Sequence, residues 1–110
     1  MSRREQLGEF EQLVLVAVLR LGDRPYAVPI REEIEQQTGR SVSRGAVYLT
    51  LDRMEQKGYL RSWIGEPTAQ RGGKAKRFYE VQRSGLTRIR ESKQGLLRMW
   101  HGLEQLLAKG

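Results

Sequence analysis

Cysteine is absent from the 110 residues, which excludes a disulfide framework, a thiolate metal site and a cysteine nucleophile. Histidine is nearly absent. The single one, His101, sits in a leucine-rich stretch with no paired partner nearby and reads as a surface or interface residue. An enzyme needs a poised nucleophile, base or metal set, and none is in view, so neither catalysis nor a cofactor or metal is expected. The carboxylates Glu32, Glu33 and Glu35 read as the solvated face of a helix and not as an acid/base pair. Long apolar runs are lacking as well. The longest, Leu13 to Leu19, falls far short of a bilayer, and no cleavage site follows it. A soluble, cytoplasmic protein is expected.

Acid is the scarcer charge. Twenty Lys and Arg stand against 13 Asp and Glu, a net +7, and the isoelectric point is near 10.2. Such an excess implies a polyanionic partner, nucleic acid first and a membrane surface second. Charge alone is equally met by nonspecific attraction. The membrane reading is weak, because the basic residues gather on a hairpin and not along one face of an amphipathic helix. The length suits one domain with a real but modest core.

The stretch that organises the chain is SVSRGAVYLTLDRMEQKGYL, Ser41 to Leu60. Ser41 or Ser43 can N-cap a helix, and Gly58 suits the left-handed position that closes one. Val47, Leu51 and Met54 fall at i, i+4 and i+7, one apolar stripe of helical period. The opposite side carries Gly45, Leu49, Asp52 and Gln56, with Arg53 on one flank and Tyr48 between the faces. A slim outer side ringed by Arg44, Tyr48 and Arg53 fits a DNA major groove. An ordinary amphipathic helix with a solvated outer face has the same pattern.

Upstream, Leu7, Phe10, Leu13, Val14, Ala17, Val18 and Leu21 keep a helical spacing, and Gly22 closes the element. The run LVLVAVL could pass for a buried strand, but its flanks hold the helical period. Its centre is apolar all round, which suggests burial on more than one side, the second against another subunit. Gly22 to Val28 reads as a loop. Pro29 suits the first turn of a second helix, whose apolar face is Ile30 and Ile34 and whose end is Thr38-Gly39-Arg40. A short helix, a turn and the organising helix make a helix-turn-helix unit.

Downstream, Tyr59 to Ile64 mixes aromatic, aliphatic and polar residues as a strand does. The segment GEPTAQRGGKAK reads as a hairpin tip, and Arg77 to Val81 as the returning strand. Its basic residues Arg71, Lys74 and Lys76 suit phosphate contact or a narrow minor groove, or simply solvent. From Gln82 a long helix is expected. Leu86, Ile89, Lys93, Leu96, Trp100, Leu103 and Leu107 alternate spacings of three and four, a heptad seam with one lysine in it. The lysine favours a crossing or splayed pair of helices over a long blunt coiled coil. The expected fold class is mainly α with a small β-hairpin. Residues 1–81 are expected to form a winged helix-turn-helix DNA-binding domain, and residues 82–110 a long C-terminal dimerisation helix.

With these elements in order, the chain resembles the PadR family of transcriptional regulators, in its short type with one C-terminal helix. The SVSRGAVYLTLDRMEQKGYL block, the RGGKAKRFYEV block and Gly85 carry the resemblance, which spans about Leu7 to Leu106. Gly45, Tyr48, Leu51 and Met54 match the family's recognition helix. Gly72, Gly73, Lys74, Lys76, Arg77 and Tyr79 match its wing and second strand. Three positions depart from the pattern. Leu49 stands where proline is usual after the tyrosine, and Tyr26-Ala27 where tyrosine-glycine is frequent. Gln82 replaces a threonine, so the last helix's N-cap is expected to shift to Ser84.

The resemblance implies a homodimer, most readily a repressor, on double-stranded DNA with a pseudo-palindromic operator. Ser41, Ser43, Arg44, Tyr48, Leu49 and Arg53 would meet DNA from the helix, and Arg71, Gly72, Gly73, Lys74 and Lys76 from the wing. Leu86, Ile89, Leu96, Trp100, Leu103 and Leu107 would build the dimer. A small-molecule effector is common in the family, and Trp63 with Trp100 could form an aromatic pocket for one, although such tryptophans are more often core or interface residues. The competing reading is a winged helix that binds RNA or a protein partner.

Overall fold

The valine-rich run is helical. The computed structural model describes residues 6–66 and 75–108, and its first element, α1, covers Glu9–Leu21. Val14, Leu15, Ala17 and Val18 are buried while Val16 and Leu19 face outward. Burial at 14, 15, 17 and 18 follows a helical face and breaks the strict alternation of a strand. The burial all round expected of this helix is therefore not met within one chain. Its outer stripe is bare apolar surface.

Gly22 closes α1 at φ 69°. The second helix, α2, spans Ala27–Thr38 and begins two residues before Pro29. Proline in the third helical position loses an N–H that has no intrahelical partner anyway, so the earlier start costs nothing in hydrogen bonding. Ile30 and Ile34 are buried as expected. Of the three carboxylates expected to be solvated, only Glu32 is fully exposed. Glu33 accepts from Arg20 Nε at 2.7 Å, joining α2 to α1, and this bond holds its carboxyl below the usual glutamate range. Glu35 Oε2 accepts the Val42 N–H at 2.8 Å, while Arg31 Nε donates to the Val42 carbonyl at 2.6 Å. Two charged side chains of α2 thus clamp the peptide that leads into the third helix.

That helix, α3, covers Arg44–Gln56. Ser43, and not Ser41, caps it, its Oγ accepting the Ala46 N–H at 3.1 Å. At the other end Tyr59 N–H reaches the Met54 carbonyl and Gly58 N–H the Glu55 carbonyl, both at 2.9 Å. This paired closure is a Schellman motif, with Gly58 at φ 82° in the left-handed position. Val47, Leu51 and Met54 are buried as the stripe implied, and Thr50 joins them. Val47, Leu51 and Met54 share one cluster with Leu15, Ile30, Ile34, Leu60 and Tyr79. Each large side chain buried there contributes about 1.5–3 kcal/mol relative to exposure.

The hairpin pairs β1 (Leu60–Ile64) with β2 (Arg77–Val81), antiparallel, with Leu60 opposite Val81 and Trp63 opposite Phe78. Tyr79 N–H bonds the Pro25 carbonyl at 3.0 Å, so the sheet is stitched to the loop between α1 and α2. The next helix, α4, spans Arg83–Trp100. Gln82 is its N-cap without a side-chain bond, so the expected shift to Ser84 does not occur. Ser84 Oγ instead donates to the Gly58 carbonyl at 2.7 Å and ties the start of α4 to the end of α3.

Gly85 is buried, and a Cβ there would stand 2.6 Å from the Tyr59 carbonyl oxygen. Alanine normally stabilises a helix interior over glycine by about 1 kcal/mol. Here the obstacle is backbone, so overpacking of about 1–3 kcal/mol should win. Gly85→Ala is expected to lower the midpoint of denaturant unfolding. An unchanged or raised midpoint would show that the helix can slide outward at no cost.

The single long helix expected to run on through Leu107 is two helices. α4 stops at Trp100, Gly102 adopts φ 86°, and a short α5 follows over Glu104–Ala108. The Leu103 N–H turns back to the Trp100 carbonyl at 2.9 Å, and the Gly102 N–H donates to Glu104 Oε1 at 3.1 Å. Leu103 and Leu107 consequently leave the seam that Leu86, Ile89, Leu96 and Trp100 share on α4. Among the described residues no helix is long and apolar enough to cross a membrane.

Candidate nucleic-acid interface

The outward side of α3 is built from its first two turns. Arg44 is the first helical residue, no acid occupies the first turn, and Tyr48 and Leu49 are 51% and 66% exposed. A cation at a helix N-terminus opposes the macrodipole and is unfavourable for the isolated helix. Together the guanidinium and the free N–H groups make that end a strong attractor for an anion. Ser41 and Ser43 stand exposed just before it. Asp52 is outward one turn later, where a carboxylate can accept from a base edge but not from a phosphate.

Arg53 is also exposed, but it is engaged. Its Nη1 lies 3.5 Å from Glu11 Oε2, which also stands 3.7 Å from Lys57 Nζ. Glu11 is only 8% exposed, and its Oε1 accepts the Gly8 N–H at 2.9 Å. Nothing in the sequence pattern marked Glu11, which looks like one more solvent-facing acid in the first turn of α1.

The hairpin is set against α3 by a polar chain. Arg77 Nη1 donates to Ser62 Oγ at 2.8 Å, and Ser62 Oγ donates to Glu55 Oε2 at 2.7 Å. On the other face of the hairpin Phe78 meets Tyr26 edge-on and Trp63 at a tilt, with ring centroids about 6 Å apart in both cases. Lys76 Nζ sits 4.4 Å from the centre of the Tyr26 ring and donates to its hydroxyl at 3.4 Å. Lys76 is thereby anchored at the base of the wing. Arg71, Gly72, Gly73 and Lys74 lie outside the described residues.

Two tyrosines stabilise this frame. Burial pushes the Tyr79 hydroxyl above the usual phenol range, in keeping with a neutral side chain under the hairpin. Tyr59 Oη accepts from Arg88 Nε at 3.2 Å, and that bond raises the already high arginine value. Among the described residues no group of three His, Cys, Asp or Glu could hold a metal.

Trp63 lines a cleft of about 400 Å³ between the hairpin, Leu19 and Pro25, and Trp100 is not among its walls. Trp100 is 44% exposed at the end of α4. Within one chain the two tryptophans do not share that cleft. Exposed apolar side chains continue along α4 at Leu86, Leu96, Leu97 and Met99, and Ile89 packs partly on the core.

A family described as "Transcriptional regulator PadR-like family" matches residues 15–91. Among solved structures, a PadR-like transcriptional regulator from Bacillus cereus superposes with a TM-score of 0.67 at 21% identity, covering 92% of each chain. A PadR family transcription regulator from Clostridium difficile gives 0.66 at 20%, covering 93% of this chain and 97% of the other. A transcriptional regulator from Clostridium thermocellum gives 0.68 at 16%, covering 86% and 89%. At such identities the likeness speaks for the fold. Among curated proteins none matches the sequence.

Proposed function

Since the chain belongs to the PadR-like family of transcriptional regulators, we propose that it binds a pseudo-palindromic DNA operator as a homodimer and represses transcription by occupying it. The observation that carries this reading is the outer surface of α3, where Arg44, Tyr48 and Leu49 stand clear of the core on a helix with a positively charged start. Such a helix fits the major groove. Lys76 and the basic residues Arg71 and Lys74 of the wing would reach adjacent phosphates. Most of these contacts position the protein and do not read sequence.

Dimerisation is supported by the apolar surface left bare on α4 together with Val16 and Leu19 of α1. We assign residues 1–81 to DNA binding and 82–110 to dimer formation. Two recognition helices would then enter grooves about 34–36 Å apart, or a multiple of that distance.

Selection of bound duplexes from a random library at near-physiological salt tests the reading. An enriched inverted repeat with constant half-site spacing is the expected result. Binding without enrichment would leave only electrostatic attraction and turn attention to RNA or a protein partner. Once an operator is in hand, Arg44→Ala should weaken binding to specific and random duplexes alike. It should also reduce the slope of log K against log salt by about 0.9, the value for one phosphate contact. An unchanged slope would remove Arg44 from the phosphate set.

A further inference from the structure

Glu11 has no part in the interface as described, yet from α1 it reaches two cations at the far end of α3. It is nearly buried, it belongs to a different helix, and its Oε2 faces both Arg53 at 3.5 Å and Lys57 at 3.7 Å. Its other oxygen is bound to the Gly8 N–H, so the group is fixed from the α1 side. A carboxylate held in this way has little freedom to follow α3's cations outward. The cations, on longer and looser stems, come to it.

We propose that Glu11 is a positioning residue that keeps Arg53 off the phosphates and so protects the ratio of specific to nonspecific binding. The inference rests on α3 being the DNA-reading helix. Random duplexes are bound through phosphate alone, and every further cation that reaches a phosphate raises that sequence-independent term. A recognition helix with free cations at both ends would hold any duplex well. With Glu11 in place, the free charge of α3 is concentrated at Arg44, beside Tyr48 and Leu49. Arg53, expected from the sequence as a DNA contact, is thereby withheld.

The test uses the full chain with the selected operator and a scrambled duplex, titrated across a range of salt. Glu11→Gln keeps a carbonyl oxygen for the Gly8 N–H and removes the charge. Affinity for the scrambled duplex should rise severalfold at low salt and its salt slope should steepen by about 0.9. The specific-to-nonspecific ratio should fall. Adding Arg53→Gln should return the slope to the wild-type value.

A folded Glu11→Gln protein with unchanged slope and ratio would overturn the proposal, as would a steepened slope that persists without Arg53. The single variant Arg53→Gln gives an arm that does not depend on Glu11→Gln folding. It should leave the wild-type slope unchanged, and a slope reduced by about one phosphate would overturn the inference. A wild-type chain with no affinity for either duplex would instead sink the DNA reading itself, and this inference with it.

Discussion

If the chain dimerises through α4 as proposed, a Leu96→Glu protein should run as a monomer at concentrations where the wild type pairs, and should lose about 100-fold or more in operator affinity. Leu96 is 54% exposed on α4, so the charge does not enter the protomer's own core, and glutamate is a good helix former. The chain should fold. Under the proposed reading the loss arises because each half-site is held by one recognition helix. Linking two such helices makes the second contact intramolecular, and uncoupling them forfeits about 10²–10⁴ in avidity. Sedimentation against concentration reads the first effect, and titration against the full inverted repeat and a single half-site reads the second. The variant should bind the half-site as the wild type does. A Leu96→Glu protein that stays dimeric would move the interface off this face of α4.

Leu51→Ala should cost about 2–5 kcal/mol of unfolding free energy. Leu51 is fully buried and belongs to the cluster that joins α1, α2, α3 and the hairpin. Its neighbours in that cluster are held by the caps and clamps at the ends of their own elements, so collapse into the vacancy is limited. For a domain whose whole stability is about 5–15 kcal/mol, such a loss leaves a substantial unfolded fraction on warming. Denaturant titration should show a lower midpoint with little change in slope. A cost below about 1 kcal/mol would mean that the core repacks freely, which interiors of ordinary density do not.

Most of the framework was legible because it follows from local chemistry. The apolar stripe Val47, Leu51, Met54 named the inward side of α3, and the glycines at 22, 39 and 58 take the positive φ that ends each of the first three helices. The second strand spans Arg77–Val81, the bounds expected from the sequence. Local patterning could not distinguish Gly95 from Gly102. Both lie seven apart in the same leucine-rich stretch, yet Gly95 stays helical within α4 and Gly102 breaks the chain. A glycine costs a helix about 1 kcal/mol wherever it falls. In the body of an 18-residue helix that cost is absorbed, and near its end it decides the outcome.

The polar connections were hidden for a different reason. Glu33 to Arg20 and Glu11 to Arg53 join different helices, and Glu35 to Val42 joins a helix to the turn that follows it. A helical period shows which side an acid lies on but not what waits there. Among the described residues, those expected to touch DNA are exposed on or just before α3 and at Lys76, but exposure does not say which of them read bases.

The hydrogen bond from Tyr79 to Pro25 and the chain from Arg77 through Ser62 to Glu55 have a mechanical consequence. They attach the base of the wing to two separate parts of the body, the loop between α1 and α2 and the helix α3. The strands cannot tilt toward DNA without breaking a bond to α3 or to the α1–α2 loop. Each protomer therefore presents a stencil of fixed shape, and under the proposed reading its helix and its wing advance on a half-site together. Accommodation of an imperfect operator then falls to bending of the DNA.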